Sequence, residues 1–384
     1  MLFALIFRNP LRHPLRSLLT VAGLTVAVLA FGLLSTVVEA WYSGAEGASN
    51  ARLIVRNSIS LVFPLPLSYR QKIRQIEGVK AITTANWFGG VYKEPKNFFP
   101  QFAVDVSNYL DLYPEFVVSE AERKAFVQDR KGALVGRKLA ATYGFKVGDT
   151  VTLKGTIFPG QWDFVVRGIY SGRDAKTDLS QMLFHWDYLN ETMKVRVPRR
   201  ANQVGVYVVE VADPAQAAQL SLDIDAAFKN SRAETLTETE KAFQLGFVSM
   251  TEAIVVAIRL VSYLVILIIL AVMANTMAMA VRERSAEYAT LKALGFGPRF
   301  ISLLIFGESL SIAAVGGVLG MALTFPAASA FAEAMGTLFK VFAVSSSTLF
   351  WQALCALAVG FVAALFPAWQ ATRVNIVSGL RKLV

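Results

Sequence analysis

The chain of 384 residues is 54% apolar and 17% charged, with a mean hydropathy of +0.47. An average globular domain carries about 25% charged residues, so this composition excludes a disordered chain and an ordinary soluble enzyme. One cysteine, Cys355, and two histidines, His13 and His185, leave no intrachain disulfide and almost no basis for zinc, haem or histidine-dyad chemistry.

The chain opens on a basic tail, residues 1–14. In it apolar Leu2–Phe7 precedes Arg8 and Arg12, and Pro10 and Pro14 punctuate the join to the next segment. This pattern predicts a short interfacial helix, apolar body in lipid and arginines toward headgroups, that also anchors the topology. Ser17–Val38 then runs 22 positions without a charge. A bilayer core of about 30 Å needs about 20 helical residues, so residues 15–40 read as the first transmembrane helix. The run is longer than the apolar stretch of a signal peptide and no A-x-A site follows, so it is expected to stay uncleaved. Glu39–Tyr42 reads as its interfacial end.

Residues 41–250 form a large inserted domain of mixed α/β pattern. Strands are expected at Arg52–Arg56, Val79–Trp87, Phe98–Val106, within Lys146–Leu153, at Trp162–Tyr170 and at Gln203–Val211. Helices are expected at Ser68–Glu77, closed by Gly78, and over most of Tyr109–Ala141, broken at Pro114 and Gly132. Another runs from Asp213-Pro214 to Lys229, where an N-cap acceptor precedes proline at the first helical position. Strand–helix–strand order near both ends suits two small α/β lobes with an insert between them. The domain has no G-x-x-x-x-G-K-[ST], G-x-S-x-G, H-E-x-x-H or paired-cysteine metal motif. The acidic pairs Glu120/Glu122 and Asp223/Asp225 read as solvated helix faces, and His185 beside Trp186 as structural. Phe63 and Pro64 in VFPLPL, and Phe98 and Phe99 in NFFP, read either as loop packing or as a hydrophobic surface for a partner or lipid-like cargo.

From Lys241 the residues Phe243, Phe247, Met250, Ile254, Ile258 and Val261 recur at helical spacing. Continuous to Val281, this helix would hold 41 residues and reach roughly 60 Å, a stalk joined to the second span, residues 251–281. With a break near Thr251–Glu252, its first part would instead pack on the domain. The loop 282–299 starts at a membrane exit and carries alternating charge. It predicts a helix over Ala286–Leu294 with Leu291 and Leu294 on one face, Gly295 as its stop and Pro298 beyond. Adjacent helices need links of only about two to eight residues, so this loop reads as a docking helix as well as a connector. The third span, residues 300–328, holds Glu308 and the small residues Gly316, Gly317 and Gly320, which permit close helix approach. Glu308 reads as an interhelical hydrogen-bonding group; the apolar runs of the spans hold no second acid to complete a proton relay. A short outer loop, residues 329–344, precedes the fourth span, residues 345–372, and a tail, residues 373–384.

Charge fixes the orientation. The N-terminal residues through Arg16 (Arg8, Arg12 and Arg16), the 282–299 loop and the C-terminal segment together carry +8, whereas Glu39–Glu252 carries +2 and Glu333–Lys340 is neutral. Basic residues mark the cytoplasmic side, so both termini and the 282–299 loop are expected there, with the large domain outside. The net charge of +10 is thereby a topology signal rather than a nucleic-acid footprint. The fold class expected is a membrane protein of four transmembrane α-helices with a large α/β extracytoplasmic domain inserted between helices one and two.

Three stretches resemble the permease family that includes FtsX, the MacB permease part and the lipoprotein-releasing LolC and LolE. Arg8–Val28 is similar to the family's basic entry into span one. Arg282–Gly295, with Glu308 and Gly316/Gly317/Gly320 beyond, resembles its R-x-x-E-I-G-x-x-[KR]-A-[LI]-G loop and E…G-G-x-x-G helix; Glu287-Tyr288-Ala289 stands where Glu-Ile-Gly is usual. Phe366–Arg381 is similar to its P-A-x-x-A…L-R ending, and Gly132–Leu153 to a strand–helix–turn of its outer domain. The resemblance implies a non-catalytic ABC subunit of the cytoplasmic (inner) membrane. A second permease chain, identical or related, would pair with it, together with two separate ATPase chains that bind the ATP and Mg; this chain would bind no cofactor or metal. It implies a coupling helix after span two, with Arg282, Glu283, Arg284, Glu287, Leu291, Lys292, Leu294 and Gly295 as ATPase-coupling positions. Export or extraction of a lipoprotein, lipid, drug or peptide, with or without a periplasmic adaptor and outer-membrane channel, and FtsX-like control of an envelope enzyme all remain open. A membrane sensor would need a cytoplasmic signalling domain, and an intramembrane enzyme a polar constellation that Glu308, Asn275 and Cys355 do not form.

Overall fold

The computed structural model describes residues 14–174, 176–335, 339 and 341–374, excluding the side chains of residues 44–46. The interfacial helix expected at Leu2–Phe7, and Arg8, Arg12, Arg381 and Lys382, lie outside the described residues. In chain order the elements begin with α1 (Pro14–Glu46), β1 (Arg52–Asn57), β2 (Leu65–Pro66), α2 (Tyr69–Arg74), β3 (Val79–Trp87), β4 (Gly90–Val91) and β5 (Gln101–Val104). They continue with α3 (Tyr109–Leu112), β6 (Phe116–Val117), α4 (Glu120–Gln128), β7 (Gly132–Gly136), α5 (Arg137–Tyr143), β8 (Thr150–Gly155), β9 (Gly160–Gly172) and β10 (Met182–His185). Next come α6 (Trp186–Arg196), β11 (Gln203–Val204), β12 (Val206–Val211), α7 (Ala217–Ala227), β13 (Thr235–Thr239) and α8 (Glu240–Met250). The last four are α9 (Glu252–Glu283), α10 (Ser285–Ala293), α11 (Pro298–Met335) and α12 (Ser346–Thr372).

The chain divides into two units. One contains residues 40–251 and 335–341; the other contains the remaining helices. The first is built on one mixed sheet of 11 strands, ordered β13-β1-β12-β3-β5-β10-β7-β9-β8-β4 with β6 alongside β9. Pairing is antiparallel except for β5 with β10 and β7 with β9. Side chains alternate between the faces, and both faces are buried. Leu53 and Val55 join a core with Ile73 of α2, Leu139 of α5, Leu189 of α6 and Leu220 of α7, whereas Ile54 joins Tyr109 of α3 and Phe126 of α4 on the other face. Arg52 ties the start of β1 to the start of α8. It donates to Glu240 at 2.8 Å and to Glu115 at 2.5 Å, and stacks over Tyr113.

The two lobes expected from the sequence are therefore one continuous sheet, because β12, late in the chain, inserts between β1 and β3. The helical reading of 109–141 is corrected to three short helices separated by β6 and β7. In β7 all five residues are buried, and a short apolar run buried on both faces carries no helical or alternating period to read. β10 escaped for the same reason. The single strand expected at Gln203–Val211 is split at Gly205: β11 pairs with β2 in a separate two-stranded sheet, and β12 lies in the main sheet.

The second unit holds four helices long and apolar enough to cross a membrane: α1, α9, α11 and α12. The 41-residue stalk helix is not continuous. α8 stops at Met250, Thr251 leaves helical geometry (φ −110°, ψ 11°), and α9 starts afresh at Glu252. The four helices share one core: Leu24 and Val28 of α1, Ile269 and Met273 of α9, Ile312 and Ala313 of α11, Val359 and Ala363 of α12. Close approach at this core depends on glycine. A Cβ on Gly320 would stand 2.7 Å from the Val28 Cβ, and one on Gly317 would stand 2.8 Å from that of Ala356. Polar pins add to the packing. Fully buried Gln352 of α12 donates from Nε2 to the Val28 carbonyl of α1 at 2.9 Å and to Thr324 Oγ1 of α11 at 2.8 Å.

Candidate functional site

The loop between α9 and α11 is a formed helix with specified ends. α10 stops by a Schellman arrangement: Gly295, in left-handed geometry (φ +91°), donates its N–H to the Lys292 carbonyl, and Phe296 donates to that of Leu291. Pro298 then begins α11, where its missing N–H costs nothing.

The inner face of α10 belongs to the helix bundle. Tyr288, 1% exposed, and Ala289 are buried; Tyr288 packs with Met277 and Val281 of α9, Ile301 and Ile305 of α11, and Ala364 and Ala368 of α12. Burial pushes the Tyr288 phenol up to about 12. Leu291 also packs against this cluster.

Three polar contacts fasten the loop. Arg284, at the N-cap of α10, donates from Nη1 to Glu308 Oε2 of α11 at 2.8 Å and from Nε to Glu287 at 3.2 Å. Both Arg284 and Glu308 are buried. Burial works against the Arg284 charge, but Tyr288, Glu308 and Glu287 more than offset it and hold its pKa above the ordinary arginine value. Glu283, at the end of α9, accepts from Arg16 of α1 at 2.6 Å. Lys292 donates to the carbonyls of Thr372 at 2.7 Å and Val374 at 2.8 Å. It thereby places a cation on the C-terminal end of α12, where helix carbonyls lack partners. The loop is thus tied to α11 and α12 through Arg284 and Lys292, and its α9 end is tied to α1 through Glu283.

The sequence-derived positions separate into two sets. Arg284, Lys292 and Leu291 face the bundle, and Gly295 shapes the turn. Arg282, Glu283, Glu287 and Leu294 are exposed, Leu294 at 71%. Leu291 and Leu294 therefore do not share one outward face. The outward apolar pair is Leu294 and Phe296, the latter with its ring against Phe300. Glu308 lies in the bundle as the partner of Arg284. Gly316 and Gly320 face α1, and Gly317 faces α12. In the sheet domain Phe63 is exposed along with Ile59 and Val62, and Phe98 lies beside exposed Trp87. Phe99 is a correction: at 0% exposure it is core, among Tyr92, Tyr143 and Phe145, because its side chain alternates inward just before β5. The sequence reading missed Arg16, Gln352 and Phe296. An amide well inside the uncharged run of α12 was the available signal for Gln352, since a polar group in a span needs a partner.

Comparison with known proteins gives two family matches. Residues 17–227 match the MacB-like periplasmic core domain and residues 259–376 the FtsX-like permease C-terminal region. No curated protein matches the chain. Among solved structures, it is similar to the extracellular domain of the noncanonic ABC-type transporter YknZ from Gram-positive bacteria (12% identity, TM-score 0.36, 49% of this chain and 100% of that one). It is also similar to the periplasmic region of MacB from Actinobacillus actinomycetemcomitans (10% identity, TM-score 0.36, 53% of this chain and 94% of that one). A third likeness is a domain of a putative permease protein from Porphyromonas gingivalis (14% identity, TM-score 0.35, 50% of this chain and 90% of that one).

Proposed function

The chain belongs to the FtsX-like, MacB-type ABC permease family, and from that premise we propose that it is the membrane subunit through which a separate ATPase moves an outer domain. Two ATPase chains bind the ATP and Mg, and a second permease chain completes the assembly. α10 is the coupling helix. The termini and α10 face the cytoplasm, and the sheet domain lies outside the inner membrane. The work done there is export or extraction of a hydrophobic cargo, with exposed Phe63 and Phe98 and half-buried Pro64 as contact candidates.

The observation that carries this reading is the build of α10. A helix that must transmit a push has to be rigidly attached on one side and available on the other. Arg284, Glu283 and Lys292 fasten the loop to three different helices, while Leu294 and Phe296 remain outward at its end. The spans themselves are closed by glycine contacts and by Gln352, which supports mechanical transmission over passage through an aqueous channel.

The test is the double variant Leu294→Asp with Phe296→Asp, made in the full chain. Both side chains are exposed here, so the bundle should keep its thermal stability. Two carboxylates in a groove that buries these positions would be unpaired and costly. Co-purification with the ATPase, or permease-stimulated ATP turnover, should be lost. Parent-like binding and turnover would remove α10 as the coupling element.

A further inference from the structure

The outer unit is not limited to the segment between α1 and α9. It includes residues 335–341, which join α11 to α12. Three chain segments therefore lead from this unit to the four long helices: the end of α1, Thr251 ahead of α9, and the 335–341 segment. All three meet at one side chain. The Trp41 indole donates from Nε1 to Thr251 Oγ1 at 2.7 Å. Its ring meets that of Phe339 edge-on, with centroids 5.7 Å apart and planes at 69°. Phe339 is 6% exposed, and its carbonyl accepts from Lys138 Nζ of α5 at 2.6 Å. Thr251 in turn donates to the Val248 carbonyl at 2.9 Å, at the point where α8 ends.

A tryptophan at the end of a span ordinarily reads as an interfacial anchor, ring in the headgroup region and N–H given to water or lipid. Trp41 differs in that its one N–H is used by Thr251 and its ring packs against Phe339. An indole has a single donor, so an anchoring role and this role compete for it.

We propose that Trp41 is a positioning residue, the junction at which the crossings between the outer domain and all four spans are locked to one another. Displacement of any span then reaches the sheet through a shared contact rather than through separate linkers. Lys138 seats the Phe339 side of the junction on the sheet domain. The functional half of this proposal rests on the permease reading above; the structural half does not.

Hydrogen exchange on the full chain in lipid nanodiscs tests the structural half without any ATPase. Trp41→Phe keeps a ring but removes the N–H. It should speed exchange in the peptide carrying Thr251 by roughly tenfold, the net worth of one hydrogen bond, and spare the peptide carrying Phe339. Trp41→Ala should speed both, and Phe339→Ala only its own peptide. Exchange in β1 and β12 should stay at the parent's level and report an intact sheet. Parent-like exchange in both peptides of Trp41→Ala, or in the Thr251 peptide of Trp41→Phe, would overturn the proposal; Trp41→Phe and Phe339→Ala decide it should Trp41→Ala fail to fold. With the ATPase present, Trp41→Ala should still bind it and turn over ATP while cargo release is lost. A parent chain that recruits no ATPase would sink the permease reading and leave the exchange result standing.

Discussion

Arg284 and Glu308, 24 positions apart in sequence, form a buried ion pair at 2.8 Å that joins the start of the loop helix to the third span. Each charge is buried and is offset by the other. Glu308 is the one charged residue of the stretch Phe300–Pro326, and Arg284 is enclosed by Tyr288, Glu287 and Glu308. The pair makes the position of α10 depend on the position of α11.

Removing Arg284 takes the cation from buried Glu308, and removing Glu308 leaves buried Arg284 with Glu287 alone at 3.2 Å. Arg284→Met or Glu308→Leu alone should each lower bundle stability by about 3–5 kcal/mol, and the double variant should recover most of that loss. Thermal unfolding of the four proteins in one detergent checks the cycle. Additive losses would mean that the two charges act independently.

Lys292 supplies a different kind of link. Its ammonium covers the last carbonyls of α12, so Lys292→Met should fray that end without disturbing the core around Tyr288. Faster hydrogen exchange confined to residues 369–374 is the expected outcome. The effect should be modest, about 0.3–1 kcal/mol, as befits a cation at a helix terminus.

The glycines of α11 make a prediction about packing. Leucine at Gly320 would place its Cβ 2.7 Å from that of Val28, and beside the Thr25 carbonyl at 2.9 Å, so α1 and α11 would have to separate. Overpacking costs about 1–3 kcal/mol, and Gly320→Leu should lower the melting temperature accordingly. Gly297→Leu is the control, since open space surrounds that position. Equal melting temperatures for the two variants would remove the close helix approach from the account of this bundle.

The apolar runs, the basic loop and the helix stop at Gly295 were legible because each is a local signal: span length, charge and a C′ glycine followed by proline. The sheet order was not, because β12 reaches its place between β1 and β3 through contacts distant in sequence. The loop helix shows the same boundary. Its existence could be read from Ala286–Leu294, but which leucine faced inward could not, since that depends on Met277 and Ile301 on neighbouring helices. Glu308 was recognisable as a group in need of a partner on a neighbouring helix; that partner is Arg284 at the start of the loop helix. Trp41 carried only the signature of a membrane edge, and its link to Thr251 spans 210 positions.

Acid sensitivity of the outer domain follows from His185. The ring is buried beside Phe126, and Nε2 donates to the Phe126 carbonyl at 2.6 Å, which fixes the neutral tautomer. Burial lowers its pKa below the ordinary 6.5, and Arg130 adds to the shift, while the bond to Phe126 and the charges of Asp187 and Asp129 oppose it. Above the ordinary value both the folded and unfolded chains hold a neutral ring, and stability does not respond to pH through this group. As pH falls below 6.5 the unfolded chain binds the proton first. Stability therefore declines until the folded ring also titrates, with a slope of at most about 1.4 kcal/mol per pH unit. Burial works against the charges of Glu122 and Asp129, but their hydrogen bonds outweigh it and hold both below the ordinary carboxylate value, so they add their own loss only at lower pH. His185→Gln, which keeps an amide donor for the Phe126 carbonyl, should flatten the upper part of this profile and leave the carboxylate part in place. Urea denaturation followed through the outer-domain tryptophans at a series of pH values checks this, and an unchanged slope just below 6.5 would assign the acid response to other groups.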